Sequence, residues 1–340
     1  MKKLLTLLLV AFASGTVMAQ NQPYLTKSFS SEKITNIVSE TSGGNITVDA
    51  STLPRVEVFV RGNGKNRNLS NDEIRSRVEN DYDLTVAVNN GTLTVTAKPK
   101  HRFTNWNNSL SFSFHIYSPS NVSTKLNTSG GNISLSGLSG DHDFATSGGN
   151  LELNELSGKI KGRTSGGNIY LKNCKDELTL STSGGNIMGN NSSGQIHLST
   201  SGGSIRLKDL AGKIDASTSG GNIEGESIRG ELGAHTSGGN VSLQKLSCSV
   251  KASTSGGNID VAIQTPGKYV SIDNSAGTVH LSIPKNTGMN LKFSAMKIST
   301  QNLQNFKGSN SNQQLNGTVN GGGIPVTVDA DGGRLDVVFD

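Results

Sequence analysis

The tetrapeptide Thr-Ser-Gly-Gly begins at Thr128, Thr146, Thr164, Thr182, Thr200, Thr218, Thr236 and Thr254, and every interval is 18 residues. Self-similarity at a fixed period marks a repeat architecture, in which each unit buries its apolar side only against its neighbours. Partial echoes stand at Thr41-Ser42-Gly43-Gly44, Asn274-Ser275-Ala276-Gly277 and Ala330-Asp331-Gly332-Gly333. Few other arrangements of a 340-residue chain could respect such a constraint.

Numbering each repeat from its Thr as position 1 aligns the chain with itself. Apolar residues recur at positions 6, 8, 11 and 15, and small or apolar ones at 17. Examples are Leu151, Leu153, Leu156, Ile160 and Gly162, or Ile205, Leu207, Leu210, Ile214 and Ala216. A spacing of two is the strand period. Continuing 15, 17, 19 carries the next Thr to the same inward side. Thr146, Thr164, Thr182, Thr200, Thr218 and Thr236 are therefore predicted to form a buried ladder. Their β-branched side chains suit strands, and stacked hydroxyls can bond to one another.

The glycine pair reads as a corner that permits φ > 0 and a close approach of neighbouring coils. Position 5 is usually Asn, as at Asn150, Asn168, Asn186, Asn222 and Asn240. A stacked Asn column can satisfy the turn backbone through its side-chain amides. Gly at position 13, as at Gly158, Gly194, Gly212 and Gly230, marks a second corner.

These patterns predict an all-β chain, a single-stranded parallel β-helix or β-solenoid with 18-residue coils about 4.8 Å apart. A hexapeptide helix would need apolar residues at positions 6, 12 and 18, but 12 and 18 are mostly polar. A calcium-binding nonapeptide roll needs an Asp after its glycines, and here Asn-Ile follows. The 42 glycines and the 5% aromatic content fit forced corners and a narrow interior. A charged fraction of 17% argues against an electrostatically extended disordered chain. Two cysteines exclude a disulfide scaffold. Cys174 falls at inward position 11 and Cys248 at corner position 13, about four coils or roughly 19 Å apart, too far for a disulfide.

Four segments follow. Residues 1–19 read as a signal peptide: a basic Met1-Lys2-Lys3, an apolar run from Leu4 to Ala13, and small residues in Val17-Met18-Ala19 before a cleavage point at Gln20. The run is shorter than the ~20 apolar residues of a membrane span, and no later stretch would cross a bilayer. Export by a Sec-type signal would place the chain in the periplasm, at the cell surface or outside the cell. Losing Lys2 and Lys3 lowers the formal net charge from +5 to +3, too little for a nucleic-acid partner.

Residues 20–127 form irregular opening coils and a cap. Val56 to Val60 reads as a strand, Ser70 with Glu73 as a capping box for a helix over 71–79, and Leu84 to Ala97 as a hairpin turning at Asn89-Asn90-Gly91. Leu110 to Ile116 alternates like a strand. Residues 128–271 hold eight regular coils. Residues 272–340 hold irregular closing coils, including a polar stretch from Gln301 to Asn316.

Outward positions carry any surface chemistry. Position 14 runs Asp141, Lys159, Glu177, Gln195, Lys213, Glu231, and position 16 runs Asp143, Lys161, Thr179, His197, Asp215, Gly233, Lys251. Alternating signs fit cross-strand pairing that holds the register and keeps the face soluble. A polysaccharide-cleaving groove would need clustered carboxylates, with Asp215 and Glu231 the residues to use. Ice binding would need a flat outward Thr array, whereas this Thr column points inward. The segment from Lys98 to Asn108 is distinctive. Its Lys100, His101, Arg102, Phe103 and Trp106, the only Trp, could contact a glycan or protein, or plug the open end of the solenoid. The six His show no ligand spacing. No catalytic residue, metal ligand or cofactor site is expected.

Thr-Ser-Gly-Gly-Asn-Ile repeats behind a signal peptide resemble the bacterial β-strand-repeat "putative adhesin" family, a domain of unknown function. Lys27-Ser-Phe-Ser, the first Ser42-Gly-Gly-Asn-Ile, and the closing Leu315-Asn-Gly and Gly321-Gly-Gly share in this resemblance, which spans essentially the whole mature chain. It implies an exported, right-handed single-stranded β-helix with no catalytic motif. The expected function is therefore non-enzymatic presentation of a repetitive surface to a cell-surface glycan or envelope protein. The alternatives are a structural envelope or stress-response component without a ligand and, more distantly, a polysaccharide-active enzyme.

Overall fold

A computed structural model of the protein describes residues 22–64, 69–101 and 109–340. The predicted signal peptide and the whole Arg102 to Asn108 segment lie outside the described residues. The described residues form one sheet of 28 strands, β1 to β28 in chain order, with one helix, α1 (Asn71–Asp81).

In the regular region each repeat contributes a short and a long strand, and each strand pairs in parallel with its counterpart one repeat away. Thus β13 (Ile169–Lys172) and β15 (Ile187–Asn190) align Ile169 with Ile187, while β14 (Lys175–Thr182) and β16 (Ser193–Thr200) align Thr182 with Thr200. The pairing offset is 18 residues, so equivalent side chains lie one above another. Positions 6, 8, 11 and 15 are buried through the first seven repeats, as at Leu151, Leu153, Leu156 and Ile160, but not at Gln264 in the eighth. The regularity ends after β21 (Val241–Thr254) and β22 (Ile259–Ile263), where Val250 pairs with Val270 and Ile259 with Val279, a step of 20. β21 runs straight through Cys248, so that position is strand rather than corner, and its thiol is buried with that of Cys174. Burial pushes the Cys248 thiol up to about 12.

Three local expectations change. The glycine pair does not use positive φ: neither Gly202 nor Gly203 lies in the left-handed region. Close approach alone explains position 4, where a Cβ on Gly203 would stand 1.9 Å from the Gly185 carbonyl oxygen. The positive-φ residues sit at the second corner, at both position 13 (Gly194, φ 117°; Gly212, φ 116°) and position 10. Position 10 is held left-handed even by Glu155 (φ 55°) and Lys245 (φ 55°). These cost something in strain, so the sequence pattern concealed them. Finally, His142 takes inward position 15 and is buried.

Both ends are closed by the same topological device. At the opening end, β2 (Asn36–Thr41) and β3 (Ile46–Ala50) pair with β8 (Ser123–Thr128) and β9 (Ile133–Ser136) on one side. On the other they pair with β6 (Thr92–Pro99) and β7 (Leu110–Ser118), so the first coil in sequence is the second in the stack. β5 (Tyr82–Asn89) closes on β6 as the expected hairpin, with Asn90 and Gly91 both at positive φ. β4 (Arg55–Gly62) pairs antiparallel with β7, and β1 (Leu25–Ser28) with β4. Helix α1 carries the Ser70–Glu73 capping box and runs two residues further than expected.

At the closing end the polar stretch after Gln301 is a hairpin, β26 (Phe306–Asn310) and β27 (Gln314–Val319). Strand β28 (Ile324–Phe339) then lies between β25 (Met289–Gln301) on one side and β23 (Val270–Asn274) and β24 (Gly277–Ile283) on the other.

Candidate functional site

The repeated corner is the most regular feature of the molecule. Each inward Thr is buried, but its hydroxyl does not bond to the next Thr. Thr200 Oγ1 donates to the Gly185 carbonyl of the preceding coil (2.9 Å) and accepts from the Gly203 N–H of its own (3.3 Å). The pattern holds from Thr146, which donates to Gly131, to Thr254, which donates to Gly239. It follows from the close approach of the glycines, which brings a carbonyl over the Thr before another hydroxyl can reach it. At Thr41 the acceptor is the Phe112 carbonyl, and Asn274 substitutes for Thr by donating its amide to Gly257.

Replacing Thr200 by Val keeps the shape and removes both bonds. Two buried backbone groups lose a partner, so the variant should be less stable by about 2 kcal/mol, read as a lower denaturant midpoint. Thr200→Ser should lose markedly less.

In the Asn column each backbone N–H donates to a side-chain oxygen one coil away. The N–H of Asn150 donates to Asn132 Oδ1 (2.8 Å), that of Asn168 to Asn150 (2.8 Å), and that of Asn186 to Asn168 (2.8 Å). Asn240 likewise donates its N–H to Asn222 Oδ1. Ser204 interrupts the column but keeps the bond, its Oγ accepting from the Asn222 N–H (3.1 Å). Outside this column, exposed Ser at position 2 and partly or fully exposed residues at position 18 border a groove of about 550 Å³ along the stack. Its walls include Ser147, Ser165, Ser183 and Ser201, and Arg163 brings a positive charge into it.

Several charges on the outward faces pair along the stack. Lys159 lies 3.5 Å from Glu177, Lys213 3.9 Å from Glu231 and Arg206 2.7 Å from Glu224. Lys245 and Lys208 converge on Glu226, and the Lys245 hydrogen bond, then the Lys208 charge, hold its carboxyl below the usual range. Asp215 is engaged by His197 at 2.9 Å and faces His235 at 4.0 Å. Asp215 and Glu231, the two carboxylates an enzyme would use, are thus each met by a cation or imidazole on a neighbouring strand. Such exposed pairs set register more than stability.

The structure separates the predicted contact loop from this face. Lys100 donates its Nζ to the Glu79 carbonyl near the end of α1 (2.7 Å), and His101 lies 3.6 Å from Asp81. Both are tied to the helix. Arg102, Phe103 and Trp106 lie outside the described residues. The strands flanking that loop, β6 and β7, meet the first Thr-Ser-Gly corner at a pocket of about 220 Å³ lined by Thr41, Tyr82, Pro99 and Phe112.

One cluster had no sequence signal. His115 Nε2 is 2.7 Å from Asp49, its ring stacks on Tyr117 at 4.1 Å, and the Arg55 guanidinium covers Tyr117 at 3.5 Å while pairing with Glu57. These residues come from β3, β4 and β7, and only strand pairing unites them. The Tyr117 hydroxyl also lies 3.1 Å from His115 Nδ1, so both ring nitrogens of the imidazole have a partner. Among the described residues no group of three or more His, Cys, Asp or Glu could hold a metal ion, and no helix is long and apolar enough to cross a membrane.

Stacked parallel strands in one continuous sheet, with identical buried corners, define a repetitive β-structure built by translation of one unit. Residues 169–337 match the family described as Toastrack DUF4097, and this part of the chain is a toastrack DUF4097 domain. The match is narrower than the resemblance read from the sequence, although the earlier coils continue in the same register. No curated protein matches the chain. Among solved structures, a putative cell adhesion protein from Clostridium sporogenes ATCC 15579 aligns at 11% identity, covering 93% of this chain and 98% of that one, with a TM-score of 0.21. A putative adhesin from Bacteroides fragilis NCTC 9343 aligns at 14% identity over 92% and 96%, with a TM-score of 0.25.

Proposed function

We propose that the protein is an exported, non-enzymatic β-solenoid, wound right-handed, that presents a repetitive surface to a cell-surface glycan or envelope protein. The observation that carries this reading is the corner groove, whose walls repeat the same hydroxyl and backbone groups coil after coil. Equivalent weak contacts in register can add to useful avidity without any single strong site. The signal-like first 19 residues support export to the periplasm, the cell surface or beyond.

Residues 20–340 should bind an envelope fraction or members of a glycan array. Filling the groove with Ser165→Arg and Ser183→Arg should weaken that binding roughly tenfold or more if several coils contribute. The paired charges on the other faces favour a second reading, a structural envelope component without a ligand. Binding that is absent, or indifferent to the groove substitutions and to Trp106→Ala, would leave that second reading in place. Polysaccharide turnover lost on Asp215→Asn would favour an enzyme instead.

A further inference from the structure

Strand β28 follows β25, β26 and β27 in the chain, yet it fills a slot between β24 and β25. It pairs in parallel with β23 and β24 on one edge and with β25 on the other. It also contributes a full layer of interior, with Val326, Val328, Ala330, Leu335, Val337 and Phe339 all buried. Its strand partners all precede the turn that delivers it. None of these contacts requires that β28 belong to the same copy of the chain.

That turn is rich in glycine. Asn320, Gly321, Gly322 and Gly323 form four successive residues at positive φ (50°, 86°, 86° and 148°). Three glycines adopt this reversal freely and can equally well extend. The reversal is held from outside by Asn320, whose Nδ2 donates to the Lys285 and Thr287 carbonyls and whose N–H and Oδ1 meet Asn305, and by Asn290, which bonds both the N–H and the carbonyl of Gly323; Gly322 and Ile324 donate to the Val319 and Gly288 carbonyls. The slot cannot stay empty at low cost, because Val279, Leu281, Leu291 and Phe293 would lose their covering layer.

From this topology we propose that β28 is an exchangeable strand, and that its partner is a second copy of this chain whose own slot it fills. Exchange replaces every β28 contact by an identical one, so the balance depends on concentration and on the hinge. Reciprocal exchange gives a closed dimer; one-way exchange gives a linear chain of copies. Any repetitive face would be multiplied accordingly.

Lys292 and Thr327 are exposed Cα partners on β25 and β28, close enough in adjacent strands for a disulfide. Full-length Lys292→Cys and Thr327→Cys proteins, mixed at high concentration just below the unfolding midpoint and oxidised, should accumulate a mixed disulfide dimer. The native Cys174 and Cys248 are buried in the fold, and because every variant carries them, any cross-linking through them appears equally in the control. Lys161→Cys mixed with Thr179→Cys is the control, since these exposed partners lie in mid-stack. Gly321→Ala, which places a side chain at φ 86° without a clash, should raise the dimer yield several-fold by straining the closed turn. The double variant Lys292→Cys/Thr327→Cys, oxidised at low concentration, should stay monomeric. Cross-linking no greater than the mid-stack control, together with refolded wild type that elutes as monomer at every concentration, would overturn the proposal.

Discussion

Replacing Gly203 with alanine should unfold or severely destabilise the protein, whereas the same change at Gly202 should be nearly silent. The two glycines are adjacent and neither uses positive φ. What separates them is the coil below. A Cβ on Gly203 would sit 1.9 Å from the Gly185 carbonyl oxygen and 2.5 Å from its carbon, both backbone atoms locked in the sheet. A Cβ on Gly202 would meet its first neighbour at 3.7 Å, an ordinary contact. Relief at Gly203 requires the coils to part, which breaks the Thr200 bond to Gly185 and the Thr218 bond to Gly203 as well. The cost should be at least about 3 kcal/mol. Gly202→Ala should stay within about 0.5 kcal/mol. Urea denaturation of the pair decides it: equal midpoints for the two variants would mean that the coils do not approach through position 4.

Acid should weaken the fold through His142. This side chain is 1% exposed in a column otherwise filled by residues such as Ile160 and Leu178. Thr124 Oγ1 meets its Nδ1 at 3.1 Å, and its Nε2 has no partner. No charged residue shares its inward column: Ile37 and Thr124 lie on one side and Ile160 on the other, while Asp141, Asp143 and Lys125 face outward. Burial lowers its pKa from 6.5 to about 4, opposed only by the nearby charge of Asp141. Below pH 6.5 the unfolded chain takes up a proton that the folded chain resists. Stability is therefore fully present above pH 6.5 and is lost as pH falls towards 4. Between pH 7.5 and 4.5 the loss through this one group should reach about 2.5 kcal/mol. His142→Leu fits the column and should remove that loss while costing the Thr124 hydrogen bond at neutral pH. Parallel pH profiles for wild type and His142→Leu would show that the imidazole is not held neutral.

The legible parts of the molecule were those that repeat. Leu151, Leu153, Leu156 and Ile160 declared their inward faces because the same positions are apolar in the neighbouring coils, and the Asn column declared its corner in the same way. Local chemistry was equally readable at Ser70 with Glu73 and at Asn90-Gly91, since a capping box and a primed turn need only a few adjacent residues. The Thr ladder was placed correctly but bonded wrongly, because whether a hydroxyl meets another hydroxyl or a carbonyl depends on how closely the glycines approach. His142 was hidden by the strength of the pattern around it. The candidate contact loop was half legible: its composition singled it out, but Lys100 and His101 are bound to α1, which no spacing along the chain could indicate.

The sequence by itself determined the unit, its 18-residue step, its inward and outward faces and the residues at its corners, because a repeated chain records each inter-coil contact many times over. Only the tertiary structure decided the ends. Strands β2 and β3 are held between β6–β7 and β8–β9, and β28 between β24 and β25, by pairings that join distant segments and occur once each. A contact made once leaves no periodic trace. The same holds for the Asp49, His115, Tyr117 and Arg55 cluster, which three separate strands must meet to build. Repetition made the middle of this protein predictable, and it is the unrepeated closure of its two ends that the fold had to supply.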